Sequence, residues 1–160
     1  CRRLNTMSWS LLAFVGVNLL AAMSGGVFKP DAWFRQLSKP SWQPPDWAFP
    51  VVWSVLYLLN AIAGWLVFQQ LGFSPVGVTI LAIYGISLAL NALWSALFFG
   101  MKRIVLATWE AAALWLSLVV QIAVFWPFLP LAAALCLPYL LWVSVAFYLS
   151  LTIWRLNPQV

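Results

Sequence analysis

The sequence predicts an all-α integral membrane protein: a bundle of five transmembrane helices in a single domain, with a long first loop on the cytoplasmic side. Three observations carry that prediction. Of the 160 residues, 65% are hydrophobic and 7% charged, whereas an ordinary soluble domain carries about a quarter charged residues. There is too little polar surface here to cover a globule in water. Five nearly charge-free stretches each run for roughly twenty residues or more, the length a helix rising about 1.5 Å per residue needs to cross about 30 Å of hydrocarbon. The basic residues collect on one side of those stretches, which sets an orientation.

The first span covers about residues 7–28, and its run from Met7 is too long for a signal-peptide core. The leading Cys1 in place of Met is expected to mark a processing boundary, with lipid modification of that cysteine as the alternative. Loop 29–46 follows. Its end and the start of the next span read PSWQPPDWAFP at 40–50, with four prolines and two tryptophans. Pro44-Pro45 holds the backbone extended and removes two N–H donors, and Asp46 is placed to cap the second span. Roughly eighteen residues exceed the usual short connection, which favours a lid or binding loop over a passive tether. The second span is about 47–70 and ends at Gly72-Phe73-Ser74-Pro75. The third, about 76–99, ends before Lys102-Arg103. The fourth, about 104–126, is interrupted only by Glu110, and the fifth, about 131–154, starts after Pro127-Phe128-Leu129-Pro130. None shows the ten-residue alternation of a barrel strand, and in hydrocarbon every backbone group must be satisfied internally, so the spans are helices.

Five spans put the termini on opposite sides. Lys29, Arg35, Lys39, Lys102, Arg103 and Arg155 fall on one side, against Arg2 and Arg3 on the other. The positive-inside rule therefore puts the N-terminus outside, with the first loop and C-terminus in the cytoplasm. The scattered basic residues form no stripe for nucleic acid.

The composition also excludes chemistry. Without histidine, no Ser-His or Cys-His nucleophile can be assembled and imidazole metal ligation is impossible. No span holds a lysine for a Schiff base, there is no Gly-rich phosphate loop, and Cys1 and Cys136 make no disulfide framework or metal cluster. Asp31, Asp46 and Glu110 lie too far apart in depth to act as an acid-base pair. An enzyme is disfavoured unless its chemistry belongs to the ligand, and no cofactor is obligatory.

Each helical residue turns about 100°, so faces follow from spacing. In the third span Gly85, Ala89, Ala92, Ala96 and Gly100 fall within roughly 80°, a strip of small residues suited either to packing inside the bundle or to self-association. The opposite face carries Tyr84, Ser87, Asn91, Trp94 and Phe98. The second span presents Trp53, Tyr57, Asn60 and Gly64; the fifth presents Tyr139, Trp142, Ala146 and Ser150. Three aromatic and polar stripes with small gaps either close on one another as a core or line a pocket for a large, flat, apolar ligand. Trp9, Trp33, Trp42, Trp47, Trp126 and Trp154 lie near span ends, where tryptophan anchors helices at the interface. Glu110, sharing a face with Ser117 and Gln121, is either a functional carboxyl or one tying its helix to a neighbour.

KPSWQPPDWAFPVVWSVLY at 39–57, LNALWSALFFGMKR at 90–103, PYLLWVSVAFYLSLTIWRLN at 138–157 and FKPDAWFRQL at 28–37 together make the chain resemble the translocator protein family, also called tryptophan-rich sensory proteins or the TspO/MBR family. The resemblance runs from Met7 to the end. It implies five helices, an N-out and C-in orientation in bacteria, homodimers, and a pocket near the first loop for porphyrins, haem and synthetic benzodiazepine-site ligands. By motif position the ligand-binding residues are Trp42, Trp53, Asn91 and Trp142, with Tyr57 and Tyr139 matching less closely. Asn60, Ser87, Trp94, Phe98 and Ala146, from the same helix stripes, are further candidates for the pocket lining. Loop 29–46 then reads as a lid with Trp42 turned inward and Trp47 as anchor, and Lys29, Arg35 and Lys39 stand at the mouth. The expected function is tetrapyrrole binding as sensor, carrier or regulator of porphyrin levels and the stress response. Light-dependent porphyrin oxidation and transport of small hydrophobic solutes such as sterols are the alternatives. One departure weakens the sterol reading: six residues separate Tyr148 from Arg155, and Leu151 stands where a short Leu/Val, Tyr, Lys/Arg pattern would need tyrosine. A bacterial inner membrane is the expected location and a mitochondrial outer membrane the alternative.

Overall fold

Each helix begins and ends where the chain loses the means to continue it. The computed structural model describes the backbone of residues 2–27, 31–45 and 47–159, and the side chains of 9–23, 31–45 and 47–159. Five long helices emerge: α1 (Arg2–Val27), α3 (Ala48–Leu71), α4 (Pro75–Ser95, extended by a π-type turn at Ala96–Gly100), α5 (Ile104–Phe125) and α6 (Pro130–Leu156). A single turn, α2 (Ala32–Gln36), lies inside the first loop. The described residues contain no strand. Mean hydropathy qualifies α3 to α6 outright as membrane spans; the described apolar part of α1 is the shorter Trp9–Met23.

The turns carry the signals the sequence suggested. Gly72 ends α3 at φ 56°, its N–H on the Phe68 carbonyl at 2.8 Å. The left-handed region suits a residue without Cβ. Ser74 then caps α4 by accepting from the Gly77 N–H at 3.1 Å, with Pro75 in the first turn. At its other end α4 widens: the Met101 N–H reaches back to the Ala96 carbonyl at 2.7 Å and that of Arg103 to Leu97 at 2.9 Å. Lys102 completes this turn at φ 57°, a conformation costing a residue with a side chain about 1–2 kcal/mol. Asp46, expected to cap α3, lies outside the described residues; the residue bordering the helix is Trp47, which makes no side-chain cap.

The helices stand in a ring, in the order α1, α3, α6, α5, α4 and back to α1. Small side chains allow the close approaches: Ala61 and Ala63 on α3, Ala107 and Ala111 on α5, and Ala132 and Ala133 on α6 are all buried. Because the chain crosses back and forth, neighbours run antiparallel until the ring closes. With an odd number of members one adjacent pair must run parallel, and that pair is α1 with α4. A lateral groove of about 610 Å³ opens along this seam, lined by Trp9, Ala13, Phe14, Phe73, Tyr84 and Gly85, among others.

The small-residue strip of α4 follows from this geometry. Gly85 and Ala89 are exposed, and a Cβ added at Gly85 would meet nothing within 4 Å. These two positions are therefore not used for packing within the bundle, whereas Ala92 and Ala96 are partly buried.

Candidate ligand site

The interior is organised in three levels. Farthest from the first loop is an amide network. Asn18 on α1 donates to the Tyr84 hydroxyl at 2.7 Å and the Phe14 carbonyl at 2.8 Å. Asn60 on α3 donates to the Asn18 Oδ1 at 3.0 Å, and the Tyr84 hydroxyl donates to the Asn60 carbonyl at 2.9 Å. Gln121 on α5 donates to the Asn60 Oδ1 at 3.1 Å and to the Cys136 Sγ of α6 at 3.4 Å. One network thus ties all five long helices, at a depth where an unpaired amide would be costly. Gly64 makes the room: a Cβ there would stand 2.8 Å from the Tyr84 ring and 2.9 Å from Phe14. Asn60, expected among pocket-lining residues, instead belongs to this network.

The middle level is aromatic. The Trp53 ring lies 5.8 Å from Tyr57, 6.0 Å from Tyr139 and 6.3 Å from Trp142, the last two edge to face. Phe49 adds an edge to Trp142 at 5.7 Å. Asn91 on α4 donates to the Tyr139 hydroxyl, and both are buried. Five of the predicted binding residues, Trp53, Tyr57, Asn91, Tyr139 and Trp142, are therefore brought together on three helices. Their rings touch one another, so this level is a packed cluster. It holds one unspent donor, since the buried Trp142 Nε1 has no hydrogen-bond partner. Ser87 faces α5 instead, its hydroxyl on that of Ser117 at 3.1 Å.

Nearest the first loop, Trp94 stacks on Phe98 at 5.2 Å, and the loop itself supplies the next layer. Asp31 caps α2 by accepting from the Phe34 N–H at 3.2 Å, which plants Phe34, 4% exposed, 5.8 Å from Phe98 and 5.2 Å from Phe99. Ala146 is buried in α6. The described part of the loop, residues 31–45, is thus a strap with a hydrophobic plug. Phe34 was not singled out from the sequence, although its signal was present in an Asp three residues ahead of an aromatic.

Two expectations for the strap are corrected. Trp42 does not turn inward: it stacks on Tyr148 at 5.4 Å and 24°, and is 45% exposed. A turn closed by the Gln43 N–H on the Pro40 carbonyl at 3.2 Å carries Trp42 to the outer flank of α6. Its neighbour Gln43 instead holds a buried, unpartnered Oε1. Lys39 is no free cation at a mouth: its Nζ donates to the carbonyls of Phe34 at 2.9 Å and Arg35 at 3.3 Å and lies 4.6 Å over the Phe34 ring, closing off the end of α2. Arg35 is exposed, and Lys29 lies outside the described residues. Trp47 is 70% exposed, in keeping with an interfacial position.

Electrostatics add one attachment. Lys102 Nζ stands 3.6 Å from Asp31 Oδ2 and 5.7 Å over the Trp33 ring. The hydrogen bond from the Phe34 N–H, with further help from Lys102, holds the Asp31 carboxyl below its ordinary value against the opposing effect of desolvation. Glu110 is buried at 7% exposure, yet neither carboxyl oxygen has a hydrogen-bond partner, so it does not tie α5 to a neighbour. Among the described residues no His, Cys, Asp and Glu cluster could hold a metal ion.

A closed ring of membrane-spanning helices, with an aromatic interior plugged by an anchored strap, defines a polytopic integral membrane protein. The chain belongs to the TspO/MBR family, whose pattern it matches over residues 10–155. It is 39% identical over 138 residues to protein CrtK of Rhodobacter capsulatus, covering 86% of each chain. It is also 39% identical over 155 residues to a tryptophan-rich sensory protein of Cereibacter sphaeroides, covering 94% of each. The translocator protein of Sus scrofa is 34% identical over 156 residues, covering 91% of this chain and 90% of its own.

Proposed function

We propose that the protein binds a tetrapyrrole, porphyrin or haem, inside the membrane and acts as a sensor, carrier or regulator of its level. Membership of a family that includes a tryptophan-rich sensory protein and translocator proteins supports a membrane sensory or translocator role. The observation that carries the finer reading is the cluster of Trp53, Tyr57, Tyr139 and Trp142 beneath the strap, with the Trp142 Nε1 buried and unpaired. A flat macrocycle parting these rings gains broad contact with their faces, and its propionate or ring nitrogen accepts from Trp142. Asn91, now spent on Tyr139, orients the ring whose position the ligand shares. With no histidine in the chain, haem iron gains no imidazole ligand, so metal-free porphyrin binds at least as readily as haem. The same aromatic surface suits synthetic benzodiazepine-site ligands.

The reading extends to setting. The strap side faces the cytoplasm and the N-terminus lies outside, in a bacterial inner membrane, and two copies pair through the exposed Gly85 and Ala89 of α4.

Titrating protoporphyrin into the purified protein tests the ligand. Tryptophan fluorescence falls saturably after inner-filter correction against a soluble tryptophan standard. Asn91→Leu, by freeing the Tyr139 hydroxyl from its partner, weakens affinity roughly fivefold to tenfold, the worth of about one hydrogen bond. Corrected fluorescence that does not change with porphyrin sinks the proposal.

A further inference from the structure

Asn157 is 3% exposed at the very end of α6, and its side chain is fully engaged with two backbones. Its Oδ1 accepts from the Ser38 N–H at 3.0 Å; its Nδ2 donates to the Ser38 carbonyl at 2.8 Å and to the Ile153 carbonyl at 2.8 Å. An amide that pairs with both backbone groups of one residue imitates a strand partner. Here it does so across 119 positions of sequence, from the last helix to the first loop. Apart from the Phe34 plug and its ring contacts, the strap's other attachments are of a different kind. The Asp31–Lys102 pair is about half exposed on both sides, so it is weak and screened by salt. The Trp42–Tyr148 stack stands on the outer flank of the bundle.

From this contrast we propose that Asn157 is the latch of the strap: the positioning residue whose two-point hold on Ser38 sets how often residues 31–45 lift and withdraw the Phe34 plug from Phe98 and Phe99. The latch sits midway along the strap, between α2 and the Pro40–Gln43 turn, so releasing it frees both halves. Lys102 supplies a secondary hold through its 3.6 Å pair with Asp31. The latch reads only backbone atoms of Ser38, so the serine side chain has no part in it. This deepens the ligand-site reading, because lifting the strap is the route to the aromatic cluster. The opening of the strap itself does not depend on which ligand uses it.

Amide hydrogen exchange on the protein in detergent micelles tests the latch with Asn157→Leu, Asn157→Asp and Ser38→Ala. In Asn157→Leu, exchange at Ser38 and across 31–45 rises about tenfold or more, while amides of α6 from Leu149 to Ile153 stay at their wild-type rates. Ser38→Ala leaves the strap unchanged. Asn157→Asp keeps the acceptor for the Ser38 N–H but loses the carbonyl contacts, so exchange across 31–45 rises above wild type though less than in Asn157→Leu; should the leucine variant fail to fold, wild-type exchange in Asn157→Asp overturns the proposal. Protoporphyrin association and dissociation both quicken in Asn157→Leu, with the dissociation constant changed far less than either rate. If the wild type takes no porphyrin, the ligand reading fails and exchange alone decides the latch. Wild-type exchange at Ser38 in Asn157→Leu overturns the proposal. An equal rise along the last turns of α6 overturns it too, since Asn157 would then be only a helix cap.

Discussion

Glu110 is the residue at which physical cost and local structure disagree most. A carboxyl buried with neither oxygen bonded forgoes about 1–3 kcal/mol for each polar group left unsatisfied, and among the described residues no basic side chain pairs with it. Glu110→Leu is therefore expected to raise the thermal midpoint of the detergent-solubilised protein; a lowered midpoint would mean the carboxyl holds a partner after all. Sequence could single out Glu110, since one charge in an apolar run is conspicuous. It could not say what the side chain meets, because that depends on the rotation of α5 against α4 and α6. Trp42 shows the same limit. Its place in the stiff loop was plain, but which way a turn throws the ring depends on the Pro40–Gln43 hydrogen bond.

At the scale of elements, the five long helices were legible because lipid imposes one rule on all of them: a charge-free run long enough to cross. α2 was not, because a single turn is too short for any periodic pattern to show. Its determinants are Asp31 at the start and Lys39 at the end, and the Asp31 carboxyl makes the first of them sensitive to acid. The folded-state pKa of Asp31 lies below its ordinary value of 3.8. Its contribution is therefore complete above that value and is lost as pH falls through the depressed folded one, with no change across the neutral range. The Phe34 amide resonance is expected to titrate with a midpoint below 3.8, and to lose that titration in Asp31→Asn. A midpoint at or above the ordinary value would mean that the cap does not form in solution. The amide network at the far end of the bundle was likewise invisible as a network. Asn60 was legible as a polar residue on a helix face, but its partners Asn18, Tyr84 and Gln121 come from three other spans.

For the molecule as a whole, the number five has a geometric price. A ring of antiparallel neighbours closes only with an even count, so α1 and α4 meet in parallel, and the groove of about 610 Å³ marks where they fit least well. The open space at Gly85 lets the proposed pairing of copies be tested without disturbing the monomer. Gly85→Leu fills the groove wall and is expected to cut the dimer fraction several-fold at a fixed protein-to-lipid ratio, read by energy transfer between labelled copies. An unchanged fraction would remove α4 from the interface. The ring order itself could not be read from sequence, since hydropathy finds spans and says nothing of which span neighbours which. The seam also bears on how the molecule comes together. Helices inserted one by one associate afterwards in the bilayer, and α3 to α6 are joined by short turns that make each the natural first partner of the next. α1 is joined by the longest connection and packs between α3 and α4, where Asn18 completes the amide network. A copy in which α1 is not seated there lacks Asn18 and leaves the rest of that network facing the lipid.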